Sequence, residues 1–227
     1  MSKLESGHTI NVLDHGYVRY IDHMGTDLRI LEAARISYRS PSKGDEQDKK
    51  LLNYLLKNKH SSPFEQCQIT FNIKMPIFVM RQFVRHRMQS LNEVSARYTE
   101  LPNEFYIPDK WRAQDKVNKQ GSVEADLDHG KQTVRLDAHC DFAYKLYREM
   151  LVDGVAKEMA RLVLPVNIYT EIYTTWDLNN LLKFFALRDD PHAQWEHQQF
   201  AFAMKEIAKQ LFPWTMEAYD EHIKPKT

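Results

Sequence analysis

Residues 67–76 read CQITFNIKMP, in which Cys67, Ile69, Phe71, Ile73 and Met75 alternate with Gln68, Thr70, Asn72 and Lys74. A period of two sends successive side chains to opposite faces, so this stretch predicts an antiparallel strand with one buried face. Pro76 then opens PIFVMRQFVRHRMQ (76–89), whose apolar spacing predicts a helix. Upstream, HTINVLDHGYVRYIDHMG (8–25) predicts two short strands around a turn at His15–Gly16. Thr26 is expected to cap a helix through DLRILEAARISY (27–38), and residues 46–58 repeat helical spacing through Leu51, Leu52, Leu55 and Leu56. SPFE (62–65) reads as a compact capping turn, with Ser62 at the cap, Pro63 behind it and Glu65 reaching back.

Downstream, the polar text at 109–130 predicts a mobile surface excursion, followed by helical periodicity at 131–153 and 155–163. VNIYTEIYTTW (166–176) alternates β-branched and aromatic residues and predicts a second strand, and 177–222 is helical with breaks near Pro191 and Pro213. The fold class is α+β: one helix-rich domain spanning 1–227 around an antiparallel sheet. A chain of 227 residues suits one well-filled core, and no linker or repeat divides it.

Lys plus Arg equal Asp plus Glu at 31 each, whereas a general polyanion binder carries a positive surplus. Any positive site is therefore local and suits a small anion better than a nucleic acid. MSKLESGHTI lacks the apolar centre of a signal peptide, and runs such as PIFVM are too short to span a bilayer. Cys67 and Cys140 form no C-x-x-C pair and no disulfide framework, which points to a reducing, cytoplasmic setting with inert thiols.

The chemistry concentrates in Arg81, Arg85, Arg87 and Arg97. On a helix turning about 100° per residue, Arg81 and Arg85 share a face while Arg87 lies about 200° round from Arg85. Either the helix ends near Arg87 or the two faces meet different partners. SLNEVSARY (90–98) reads as a loop rich in hydrogen-bonding groups that closes over whatever the arginines hold, with Glu93 orienting an arginine or meeting a ligand donor. Guanidinium matches phosphate and carboxylate by bidentate charge-assisted bonds. The plainer alternative is a solvated face on which each arginine pairs with an acidic neighbour. The residues alone indicate an anion site without naming the anion.

Other constellations are weaker. His192 and Glu196 have i,i+4 spacing, but the zinc-protease patterns are absent and no metal is expected. Ser90 and Ser95 lack a G-x-S-x-G elbow, and the 7 glycines never form G-x-G, which disfavours a Rossmann dinucleotide site.

Arg85-His86-Arg87, Ser90, Asn92-Glu93, Ser95 and Arg97-Tyr98 reproduce R-H-R-x-x-S-x-N-E-x-S-x-R-Y, and the chain thereby resembles the flavin-dependent thymidylate synthases. HSSPFEQ (60–66), ARLVLPVNIYT (160–170), LRDDPHAQWEHQQ (187–199) and PWTMEAY (213–219) extend the resemblance over most of the chain, outside 109–130. It implies that family's fold and the reductive methylation of dUMP to dTMP. Methylenetetrahydrofolate would give the carbon, and FAD reduced by NADPH the hydride, in a homotetramer with inter-subunit active sites.

By position, the resemblance implies flavin contacts from His60, Ser62, Glu65, Arg85, His86, Arg87, Met88 and Glu93. It implies a dUMP cradle from Gln82, Arg85, Glu93, Val94, Ser95, Ala96, Arg97, Arg161 and Arg188, with Arg188 as the catalytic group that favours ionised uracil. Where relatives commonly read N-x-R-x-L-x-(N/H)-F, this chain has Asp177, Asn179 and Lys183 at the flavin-contacting positions. Lys183 is expected to favour anionic reduced flavin, so an unchanged flavin potential in Lys183→Asn counts against that role. The departures also leave open a related enzyme acting on another pyrimidine nucleotide. Two readings from other classes are a nucleic-acid module using the Arg81–Arg97 patch and a metal hydrolase built on His192 and Glu196.

Overall fold

The computed structural model describes residues 4–223; the ends of the expected domain, 1–3 and 224–227, lie outside them. In chain order these residues form β1 (Thr9–Val12), β2 (Gly16–Met24), α1 (Asp27–Arg35), α2 (Asp45–Lys57), β3 (Gln68–Pro76), α3 (Ile77–Phe83) and β4 (Ser90–Glu93). There follow β5 (Arg112–Gln114), β6 (Ser122–Glu124), α4 (His129–Val152), α5 (Lys157–Ala160), β7 (Tyr169–Asp177), α6 (Leu178–Arg188), α7 (Trp195–Leu211) and α8 (Pro213–His222).

The alternating stretch becomes the middle strand of an antiparallel five-stranded sheet ordered β1-β2-β3-β7-β4. β7 pairs along all of β3, from Gln68 opposite Asp177 to Pro76 opposite Tyr169. Ile69, Phe71, Ile73 and Met75 are fully buried, as a one-sided strand requires. They join Trp176 and Phe184 and the α7 residues Phe200, Met204 and Ile207 in one core. Asn72, on the opposite face, is also buried: it accepts from Tyr17 Oη (3.2 Å) and donates to Glu171 Oε1 (2.8 Å) and the Ile172 carbonyl (3.2 Å). Those bonds satisfy an amide that the pattern had placed on the polar side.

The expected helix from Pro76 stops early, at Phe83. Gln89 ends it: its Nε2 donates to the carbonyls of Phe83 (3.3 Å) and His86 (2.8 Å), while its Oε1 accepts from Thr174 Oγ1 (2.5 Å). One side chain thus satisfies orphan carbonyls at the helix end and ties the segment to β7. The expected loop 90–98 begins instead as edge strand β4, paired with β7 from Ser90–Thr175 to Glu93–Ile172. Residues 109–130, expected as a mobile surface excursion, hold secondary structure of their own. They form the β5–β6 hairpin, anchored by Trp111 Nε1 to Thr133 Oγ1 (3.0 Å) and Arg112 to Glu196 (2.5 Å).

Two capping expectations fail locally. Thr26 occupies the N-cap of α1 without a side-chain bond. Its neighbour Asp27 instead caps α8, accepting from Trp214 N (2.9 Å), Thr215 N (3.1 Å) and Thr215 Oγ1 (2.6 Å). Orphan amides at the positive end of α8 are better partners for a buried carboxylate than water it cannot reach. Ser62 likewise makes no cap bond, and Phe64–Gln66 forms a short 3-10 turn.

A smaller cluster of Ala96, Leu101, Phe105, Cys140 and Ile168 lies under α4. That helix has 24 residues yet buries only Cys140, Ala143 and Tyr147.

Candidate active site

The end of α3 sets the site. Beyond Phe83 the backbone tightens, with Arg85 N bonding the Gln82 carbonyl (3.2 Å) and His86 N that of Phe83 (3.1 Å), so Arg85 and Arg87 do not lie on one continuous helix. Arg81, Arg85 and Arg87 are exposed and have no ion pair or side-chain hydrogen bond among the described residues. A merely solvated face would have given them acidic partners. Of the four arginines, Arg97 has one: its Nε lies 3.1 Å from Glu158 Oε2.

Arg188 reaches the same segment from the far end of α6. Asp177 starts that helix by accepting from Asn180 N (2.9 Å), and α6 follows β7 directly. At its last turn Arg188 Nε donates to His86 Nε2 at 3.1 Å, across 102 positions of sequence. The His86 ring meets Phe184 edge-on at 4.8 Å and lies 6.2 Å from both Trp176 and His197. Burial, and then the Arg188 charge, push the His86 pKa down to about 4. Burial lowers that of Arg188 as well.

The remaining residues expected in the nucleotide cradle fall into further groups. Gln82 donates to Gln194 at the start of α7. Glu93 accepts from Thr170 Oγ1 (2.7 Å), and Val94 N continues the β4 pairing to the Glu171 carbonyl (2.9 Å). Ser95 Oγ accepts from Arg97 N (3.3 Å), while Ala96 is buried in the smaller cluster. Glu158 gathers two of the predicted arginines, taking Arg97 on its carboxylate and Arg161 Nε on its carbonyl (3.3 Å). Met88 is exposed, as is Ser62.

His60, Asn179 and Lys183, expected at the flavin, line one recess of about 580 Å³. Its floor is apolar, with Leu55, Phe64 and Leu182, its rim carries Lys59, His60 and Lys183, and among the described residues no carboxylate lines it. Glu65 stands behind, accepting from Asn179 Nδ2 (3.2 Å). An apolar floor with a cationic rim fits a planar ring bearing an anionic tail. A larger recess, about 760 Å³, lies between the β5–β6 hairpin and the start of α7 and holds none of the predicted residues. It touches the site only through Gln194. Size alone is the weaker guide here, because the unpaired guanidiniums and the lowered histidine lie elsewhere.

The proposed His192–Glu196 pair is not assembled. His192 precedes α7 and bonds Asp190 (2.8 Å), whereas Glu196 is buried against Arg112 and Tyr106. The sequence reading missed His197, which is fully buried with neither ring nitrogen hydrogen-bonded and lies on the His86 box. Its helical spacing with Phe200 and Met204 could have placed it on the buried stripe. Gln194 was missed too, and no local pattern marks it.

Comparison with known proteins gives a consistent picture. The family described as thymidylate synthase complementing protein matches residues 19–214. A flavin-dependent thymidylate synthase of Thermus thermophilus is 47% identical over 220 residues, 97% of this chain and 81% of that one. One of Thermosipho africanus is 46% identical over 92% of each. A solved UMP/dUMP methylase, PolB from Streptomyces cacaoi bound with 5-Br UMP, superposes with a TM-score of 0.84 at 34% identity, covering 95% of this chain and 99% of that one.

Proposed function

The chain belongs to the flavin-dependent thymidylate synthase family, and from that premise we propose that it methylates dUMP to dTMP. Methylenetetrahydrofolate would be the carbon donor, FAD the bound flavin and NADPH the reductant. The observation that carries this reading is the meeting of Arg188 with His86, which brings a charged guanidinium, otherwise unpartnered among the described residues, to the Arg85–Arg87 segment.

A guanidinium cannot give up a proton at pH 7, so Arg188 acts by charge and not as a base. Placed against the N3–O4 edge of uracil, it stabilises the ionised ring and raises electron density at C5. The ring can then form its new bond to the donated methylene, as the carbon–nitrogen bonds to tetrahydrofolate break, and release the C5 proton. Arg85 and Arg87, free of acidic partners among the described residues, suit phosphate oxygens, Arg85 on the nucleotide and the flavin and Arg87 on the flavin diphosphate. Arg97 and Arg161, gathered by Glu158, and the segment from Glu93 to Ala96, whose Val94 amide is already taken by the Glu171 carbonyl, complete the nucleotide cradle. Gln82 joins them at the end of α3. His60, Asn179 and Lys183 suit the flavin ring, with Glu65 fixing Asn179. When bound, the flavin supplies the hydride that turns the transferred methylene into a methyl group.

A homotetramer fits the surface of α4, where Val134, Phe142 and Val152 are 68%, 67% and 81% exposed. A helix that leaves such side chains outside its own core is suited to packing against another subunit. Among the described residues no helix is long and apolar enough to cross a membrane.

The test is anaerobic incubation of the purified protein with methylenetetrahydrofolate, NADPH and dUMP, UMP or dCMP in parallel, with products weighed by mass spectrometry. A yellow protein that makes dTMP is the expected result. UMP is included because the similar solved enzyme is a UMP/dUMP methylase. Methylation of dCMP alone, or of none of the three, overturns the proposal.

A further inference from the structure

An arginine Nε–H can only donate, so its 3.1 Å contact fixes His86 Nε2 as the acceptor and leaves the ring proton on Nδ1. Among the described residues, His86 is the one hydrogen-bond partner of Arg188. The ring in turn is held by Phe184 of α6, Trp176 of β7 and His197 of α7. Among the described residues the one charged group acting on it from these elements is Arg188 itself, since the burial of His197 and the nearby Arg188 charge keep that imidazole neutral.

From this geometry we infer that His86 is a positioning residue that aims Arg188 through a neutral Nδ1–H imidazole, leaving the four Nη–H bonds of the guanidinium to the nucleotide. The inference rests on dUMP being the substrate. It differs from a flavin contact, which is what the family motif implies for His86.

The choice of an imidazole has a physical consequence. A carboxylate at this place would orient Arg188 equally well, but it would also cancel the charge that the developing uracil anion needs. A neutral acceptor orients without neutralising. The aromatic box keeps that acceptor neutral by excluding water, and the depressed pKa of His86 agrees with this. The unpartnered nitrogens of His197 add no second cation beside Arg188.

The experiment is a double-mutant cycle on single-turnover dTMP formation, with rates normalised to bound flavin. The variants are His86→Phe, Arg188→Ala, their combination, and His86→Gln. His86→Phe is expected to slow the reaction by about thirtyfold in the native background and by less than about twofold beside Arg188→Ala, because groups acting through one another are non-additive. His86→Gln, whose Oε1 takes the place of Nε2, should restore the rate to within about threefold. A full and equal loss in both backgrounds, or no rescue by Gln, overturns the inference. Independently, ¹⁵N spectra of the holoenzyme at pH 7 should show His86 bare at Nε2 and protonated at Nδ1; the opposite tautomer also overturns it. If the native protein makes no methylated nucleotide, the proposed function fails instead, and the spectra still decide the tautomer.

Discussion

Two arginines expected at the nucleotide, Arg188 and Arg97, are held in opposite ways. Arg188 is partly buried, donates to an uncharged imidazole and sits against an aromatic box. Arg97 lies at the surface, its side chain 56% exposed, ion-paired with Glu158 and lying 6.0 Å from the Tyr98 ring. The first is oriented with its charge intact. The second has its charge partly answered, by a carboxylate that a ligand must displace or share. A short-range electrostatic task belongs to the former arrangement and the capture of an anion from solvent to the latter.

Substitutions at the two places should separate these roles. Arg188→Ala should have the largest effect, lowering dTMP formation about 10²–10³-fold, the scale of losing one preorganised donor, while melting temperature and flavin content hold. An activity close to native would remove the distinction altogether.

The dryness of the Arg188 side can be probed through His197. His197→Leu removes two unsatisfied buried nitrogens and should stabilise the fold at pH 7 by about 1–3 kcal/mol. Its pKa lies well below the ordinary histidine value when folded, so between that value and about 6.5 the unfolded chain binds a proton that the native one does not. Native stability therefore falls as pH drops below about 6.5, and the leucine variant should show a shallower fall. Chemical unfolding from pH 4 to 8 measures both. An unchanged slope would mean that His197 is hydrated or partnered in solution.

On the Arg97 side the effects are smaller. Arg97→Ala should weaken dUMP binding about tenfold, or about 1.4 kcal/mol, with a loss that shrinks at high salt. Glu158→Gln frees the guanidinium and should tighten dUMP by less than about fivefold, since an exposed pair contributes roughly 0.2–1 kcal/mol. Calorimetric titration at two ionic strengths reads both, and tighter binding in Arg97→Ala would contradict the capture role.

How much of this was legible depends on how local each cause is. The β3 alternation, the β7 strand and the helices from residue 177 onward follow from periods of two and 3.6 read over short windows, and the structure places them accordingly. The stop at Phe83 was not legible, because it depends on Gln89 finding Thr174 on a strand far along the chain. β4 was hidden for a related reason: with Leu91 alone packed on the core between exposed Ser90, Asn92 and Glu93, this edge strand prints no alternation, and β7 supplies its partner. The hairpin at 112–124 leans on Glu196 and Thr133, neither visible from its own polar text. At the candidate site, the arginine motif supplied the expected residues, and folding added that Arg85 and Arg87 stay unpaired among the described residues, that Arg97 meets Glu158, and that Arg188 closes on His86.

The most direct measurement is the steady-state split of kcat and KM for dUMP in Arg188→Ala and Arg97→Ala, assayed side by side. The first should lose kcat with KM within about threefold of native, and the second should raise KM with kcat within about threefold. The reverse pattern, or equal losses of both constants in both variants, would contradict the claim that Arg188 acts on the reacting ring while Arg97 captures the nucleotide.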